Sequence, residues 1–82
     1  SNTKEKSNIK VYVTNENEYF IGAKSKQAVP QEELETAIMA ELKNDSVIEL
    51  MGDKLSSWEH SVKVIDIAKR NKLAVVIKTK AN

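Results

Sequence analysis

The chain has 82 residues, with 13 basic and 12 acidic side chains, one histidine, no cysteine and 40% apolar content. This length holds one domain, excludes multidomain enzymes and cofactor-rich folds, and sets an expected stability of roughly 5–10 kcal/mol. The missing cysteines exclude disulfide scaffolds and thiolate zinc sites, a net charge of +1 is too balanced for a dedicated nucleic-acid binder, and no stretch approaches the ~20 apolar residues of a membrane span.

Ser1-Asn2 reads as a protease scar, and residues 1–8 together read as scar and linker, polar and without periodicity. The folded domain is expected over residues 9–80. Ile9, Val11 and Val13 alternate with Lys10, Tyr12 and Thr14, the period-2 pattern of a half-buried strand. Asn15-Glu16-Asn17-Glu18 supplies a turn, because asparagine tolerates positive φ, and Tyr19-Phe20-Ile21 resumes a strand that Gly22 ends. Pro30 suits the first position of a helix, Glu32, Glu33 and Glu35 complement its positive end, and Leu34, Ala37, Ile38 and Leu42 form its apolar face. Asn44-Asp45-Ser46 breaks that helix.

Val47 to Met51 is a short apolar strand stopped by Gly52-Asp53. Ser56-Ser57-Trp58-Glu59 has the form of a capping box opening a second helix, with Trp58, Val62, Ile65 and Ala68 on its stripe and Val64 and Ile67 widening it. Lys69, Arg70 and Lys72 suit the negative end of that helix, and Asn71 is the expected left-handed cap. Leu73 to Ile77 is apolar on both faces, which predicts an interior strand. The order is ββαβαβ. Two strand-helix-strand crossovers of one hand place both helices on one face of a mixed sheet, an α+β two-layer sandwich with the other face open.

At this point the residues resemble the C-terminal periplasmic domain of the ExbD/TolR biopolymer-transport proteins, from about Ile9 to Thr79. Tyr19-Phe20-Ile21-Gly22 is similar to that family's second strand and Glu32-Glu33-Leu34 to its first helix opening. Met51-Gly52-Asp53-Lys54, then Trp58 where Tyr is usual, then Val62-Lys63-Val64-Ile65-Asp66, resemble the loop and second helix, and Val75 to Thr79 the closing strand. Gly52, Asn71-Lys72-Leu73 and the Gly22 to Pro30 loop depart from the usual pattern and leave the subfamily open.

The resemblance implies a subunit of a proton-gradient-driven inner-membrane complex, single-pass in full length, with this domain in the periplasm. Its transmembrane helix and proton-carrying acid would precede Thr3, where an ExbB/TolQ-like subunit would hold them. It implies a homodimer, a TonB-like or TolA-like periplasmic partner, and contact with peptidoglycan, and it implies no cofactor and no enzymatic activity in this chain.

Each conspicuous residue also has a plain reading. His60 has no second histidine and is expected at the surface; Asp53 lacks a nucleophile or second acid and is expected in a turn or cap. Trp58 is expected as a core anchor, with a ligand platform as the alternative. Tyr12, with one of Tyr19 or Phe20, is expected on the uncovered sheet face. From Glu16 to Glu41 six acids meet two lysines, net −4; from Lys63 to Lys80 five lysines and an arginine meet Asp66, net +5. A solvated face explains this, and a self-complementary dimer or an acidic partner is the alternative.

The candidate partner-binding residues are therefore Tyr12, Tyr19, Phe20, Ile21, Lys69, Arg70 and Lys72, with Tyr19–Ile21 as the open edge for strand addition. A second class of function is a small-ligand regulatory domain of ferredoxin-like type, which needs a βαββαβ order that the early Tyr19–Ile21 strand opposes. An RNA-binding module lacks both the GXXG loop and the aromatic RNP strand.

Overall fold

The computed structural model describes residues 8–22, 26–42 and 47–79. Strand β1 (Asn8–Val13) leads through a hairpin to β2 (Tyr19–Ile21); a 3-10 turn at Gln31–Glu33 leads into helix α1 (Leu34–Ala40); then come β3 (Val47–Gly52), helix α2 (Trp58–Arg70) and β4 (Ala74–Thr79). The sheet order is β2-β1-β3-β4, with β1–β2 antiparallel and β1–β3 and β3–β4 parallel. The fold is α+β, a mixed four-stranded sheet with two helices. Residues 1–7 of the expected linker lie outside the described residues, as do the helix break at Asn44–Ser46 and Lys80; Asn8, assigned to the linker, opens β1.

Alternation sets the layers. Ile9, Val11 and Val13 of β1 and Ile48 and Leu50 of β3 are all at 3% exposure or less. Register aligns Ile9 with Ile48 and Val75, and Val11 with Leu50 and Ile77, so these rows share one face. Against that face stand Leu34 and Ile38 of α1 and Val64, Ile67 and Ala68 of α2, forming a single core. Helix α1 packs over β2, and α2 over β1, β3 and β4.

The hairpin is held by Thr14, whose Oγ1 accepts from Glu16 N–H (3.2 Å) and Glu18 N–H (3.1 Å), while Asn17 takes the left-handed φ of +62°. Asn17 Oδ1 then accepts from Ser57 N–H at 2.7 Å, tying the hairpin to the entry of α2. Gly52 closes β3 where space is short: a Cβ there would stand 3.3 Å from Ser61 Oγ on the buried side of α2.

Several expectations need correction. The N-cap of α2 is Ser57, whose hydroxyl accepts from Glu59 N–H (3.2 Å), whereas Ser56 Oγ donates to the Asp53 carbonyl (2.6 Å), so the expected capping box does not close. The buried stripe is Ser61, Val64, Ile67 and Ala68, and Trp58 is 63% exposed rather than a core anchor. At about 100° per residue, Trp58 sits about 120° around the helix from Val64. Leu42 lies past the end of α1 and is exposed, not on its buried face.

Strand β4 is an edge, not an interior strand, and its apolar composition is left on the surface at Val76 and Ile77. Asn71 has φ −105° and is not the left-handed residue; Lys72 is, at +57°. Leu73 N–H bonds the Ala68 carbonyl (2.8 Å) and Lys72 N–H the Lys69 carbonyl (3.2 Å), the two bonds of a Schellman ending.

Burial separates two substitutions at apolar positions, one of them at the residue expected as a core anchor. Leu50→Ala, emptying a fully buried site between β1 and β4, should cost about 2–5 kcal/mol. Trp58→Ala should cost less than about 1 kcal/mol. Urea denaturation of both variants measures the order directly.

Candidate functional site

The two faces of the sheet differ in cover, and the candidate surfaces follow from that. On the face away from the core, register sets Phe20, Tyr12 and Met51 side by side across β2, β1 and β3, with Lys10 and Glu49 in the next row. Gly22 N–H bonds the Lys10 carbonyl (2.7 Å), so Gly22 ends that second row on the β2 side. Its φ is +85°, and a Cβ built there meets nothing within 4 Å. A trough of about 410 Å³ on this face is lined by Lys10, Tyr12, Phe20, Gly22, Glu49 and Met51.

Charges on this face are partly consumed. Lys78 Nζ stands 2.7 Å from Glu49 Oε2, and Asn8 Nδ2 donates to Glu49 Oε1 at 3.2 Å. These hydrogen bonds, Lys78 first, hold the Glu49 carboxyl below the usual glutamate range, aided by the charges of Lys78 and Lys10. The Tyr12 hydroxyl donates to Asp53 Oδ2 at 3.3 Å. Asp53 Oδ1 also accepts from Leu55 N–H (3.0 Å), so its role is that of a turn residue.

A second surface lies along β4. The flank of α2 that carries Trp58 is opposite the flank facing α1, because Arg70 lies about 120° from Val64 the other way and meets Glu35 of α1 at 2.7 Å. Trp58 therefore stands on the β4 side, preceded by Leu55 (69% exposed), while Ile77 of β4 turns to the helix-bearing face and is 51% exposed. The outer side of β4 pairs with no other strand among the described residues.

The seven residues proposed from sequence do not form one surface. Tyr12 and Phe20 are half-buried on the open face. Tyr19 and Ile21 oppose Val13 and Val11 and turn to the core side; Tyr19 is 2% exposed. Burial, then the Glu59 charge, push the Tyr19 hydroxyl above its ordinary range. The edge of β2 is not free at Tyr19 either, because Val29 N–H donates to the Tyr19 carbonyl at 2.8 Å.

Lys69, Arg70 and Lys72 are exposed at the end of α2, but Arg70 is bound to Glu35, and Asn71 Nδ2 donates to the other Glu35 oxygen at 2.9 Å. Those two hydrogen bonds lower the Glu35 carboxyl from its ordinary range. His60 is not a plain surface residue: it is half-buried, its ring centroid is 5.9 Å from that of Tyr19, and its backbone carbonyl accepts from the Tyr19 hydroxyl at 3.3 Å.

Met51, Lys10, Glu49 and Gly22 on one surface, and Leu55 and Ile77 on the other, are not singled out from sequence as site residues, and Trp58 enters there only as a core anchor with a ligand platform as the alternative. The alternation of β3 was the available signal for the first set; nothing local distinguished the second from core. Among the described residues there is no group of three or more His, Cys, Asp or Glu placed to hold a metal, and no helix long and apolar enough to cross a membrane.

Comparison with known proteins finds no protein-family model and no curated protein that matches this chain.

Two measurements follow from these contacts. The folded-state pKa of Glu49 lies below its ordinary 4.5, so its contribution to stability is present above that value and lost as pH falls through the lower, folded one. Glu49→Gln should therefore lower the urea midpoint near neutral pH, and the gap from the parent should close in acid. Lys72→Gly should raise stability by about 0.5–1 kcal/mol, since glycine takes the left-handed cap without the Cβ clash; thermal unfolding of the pair checks it.

Proposed function

We propose that this chain is the periplasmic domain of an ExbD/TolR-like subunit in a proton-gradient-driven energy-transducing complex of the inner membrane. In this reading it couples ion flow to a TonB-like or TolA-like partner for outer-membrane transport or envelope maintenance. The domain does no chemistry of its own; it binds a second copy of itself and passes conformational work to a periplasmic partner, with peptidoglycan as a further contact. The α+β fold, a four-stranded mixed sheet with two helices, supports the resemblance drawn from the residues.

The observation that carries the reading is the β4 edge, which no strand covers among the described residues, with exposed Ile77 on it and exposed Trp58 on the β4 side of α2. A six-residue edge strand offers unpaired N–H and C=O groups, and these apolar side chains add area for a partner to cover. This edge takes the place of the β2 edge as the site of strand addition, because Val29 already occupies β2 at Tyr19. A ferredoxin-like regulatory domain would need a strand order that begins with one strand before the first helix, and here two precede it.

Sedimentation velocity over a wide concentration range should show a weak homodimer, strengthened when two copies are tethered and weakened by Trp58→Ala or Ile77→Lys. NMR titration with TonB-like and TolA-like periplasmic fragments and with peptidoglycan should then move amides along β4. A strict monomer even when tethered, with no shifts from any of the three, would remove the support for this function.

A further inference from the structure

We infer that the trough on the open sheet face is a binding site for a small apolar monocarboxylate, seated on Tyr12, Phe20 and Met51 with its carboxylate on Lys10. The inference does not depend on the energy-transducing reading and concerns the opposite side of the sheet from the α2 flank.

Shape, lining and charge each contribute. At about 410 Å³ the trough falls within the size range of small-molecule sites, although it is open on one side. Gly22, whose N–H bonds the Lys10 carbonyl, borders it with open space where a Cβ would stand. Its walls are two aromatic rings and a methionine thioether, which together suit a flat or flexible hydrocarbon.

The charges choose the sign of the ligand. Lys10, Glu49 and Lys78 are the ionised side chains that register places on this face of β1, β3 and β4, and Asp53, just past β3, reaches it through the Tyr12 hydroxyl at 3.3 Å. Glu49 is spent on Lys78 (2.7 Å) and Asn8 (3.2 Å), and its side chain is only 11% exposed. Lys10 is exposed, lines the trough, and closes no short ion pair among the described residues. One cation beside an apolar trough, with the neighbouring acid already neutralised, is complementary to a hydrocarbon bearing one negative charge. A cationic amphiphile would meet Lys10 while Glu49 is held by Lys78 and Asn8 and Asp53 by the Tyr12 hydroxyl and the Leu55 amide, and a neutral one would leave the lysine unused.

The test uses three probes of one chain length, octanoate, octanol and octylamine, each kept below its aggregation limit and titrated into isotope-labelled protein by NMR. Octanoate should saturate shifts at Tyr12, Phe20, Gly22 and Met51 and bind more tightly than the other two. Lys10→Gln should weaken octanoate by roughly two- to five-fold, the size of one partly solvated charge contact, and Lys10→Glu should reverse the preference toward octylamine. Lys10 is exposed, so both variants should retain the parent spectrum away from the trough. Equal binding of the three probes, insensitivity to Lys10→Gln, or shifts centred on Leu55, Trp58 and Ile77 would each overturn the assignment.

Discussion

The two faces of β1 and β3 are held apart by a single constraint, the period-2 alternation of two parallel strands in fixed register. Ile9 beside Ile48 and Val11 beside Leu50 turn one way, and Lys10 beside Glu49 and Tyr12 beside Met51 turn the other. A one-residue slip between these strands would exchange the faces of one against the other and bury Glu49 or Lys10 under the helices. Everything else is placed by this choice: the helices have one face to cover, and the trough and its lysine are on the face that remains. The antiparallel β2 extends the arrangement by setting Phe20 beside Tyr12 and Tyr19 beside Val13.

The position of α2 is fixed from both ends by polar contacts rather than by packing alone. At its start, Asn17 Oδ1 holds the Ser57 amide and Asp53 holds the Leu55 amide and the Ser56 hydroxyl, so the hairpin, the end of β3 and the helix share one junction. At its end, Asn71 Nδ2 bonds both the Ile67 carbonyl (2.8 Å) and Glu35 of α1, and the Schellman turn aims Leu73 into the core. These anchors set the rotation of the helix. That rotation buries Val64 and Ala68, and it leaves Trp58 exposed on the β4 side.

Much of the architecture was legible because it rests on periodicity. The alternation of Ile9, Val11 and Val13, and the Leu34 and Ile38 spacing behind Pro30, correspond to buried positions. The failures share a cause: local patterns fix which residues are apolar, not which element stands over them. Moving the cap from Ser56 to Ser57 goes with a burial stripe displaced from Trp58, and the sequence offers both serines equally. Leu73 to Ile77 has the composition of an interior strand but lies at the edge, because sheet order is decided by long-range pairing. Tyr19 and Phe20 are neighbours with similar side chains; only the hairpin register sends one to the core and the other to the open face. The left-handed residue fell on Lys72 because Asn71, although tolerant of positive φ, is engaged through its side chain with Ile67 and Glu35.

The central claim, that one sheet face is sealed by helices and the other is open, is measured most directly by a soluble paramagnetic chelate that broadens NMR signals according to solvent proximity. The methyl signals of Met51 and Val76 should broaden strongly, while those of Val11, Ile48 and Leu50 should stay sharp. Similar broadening of the two sets, or protection of Met51 at high dilution, would contradict the account.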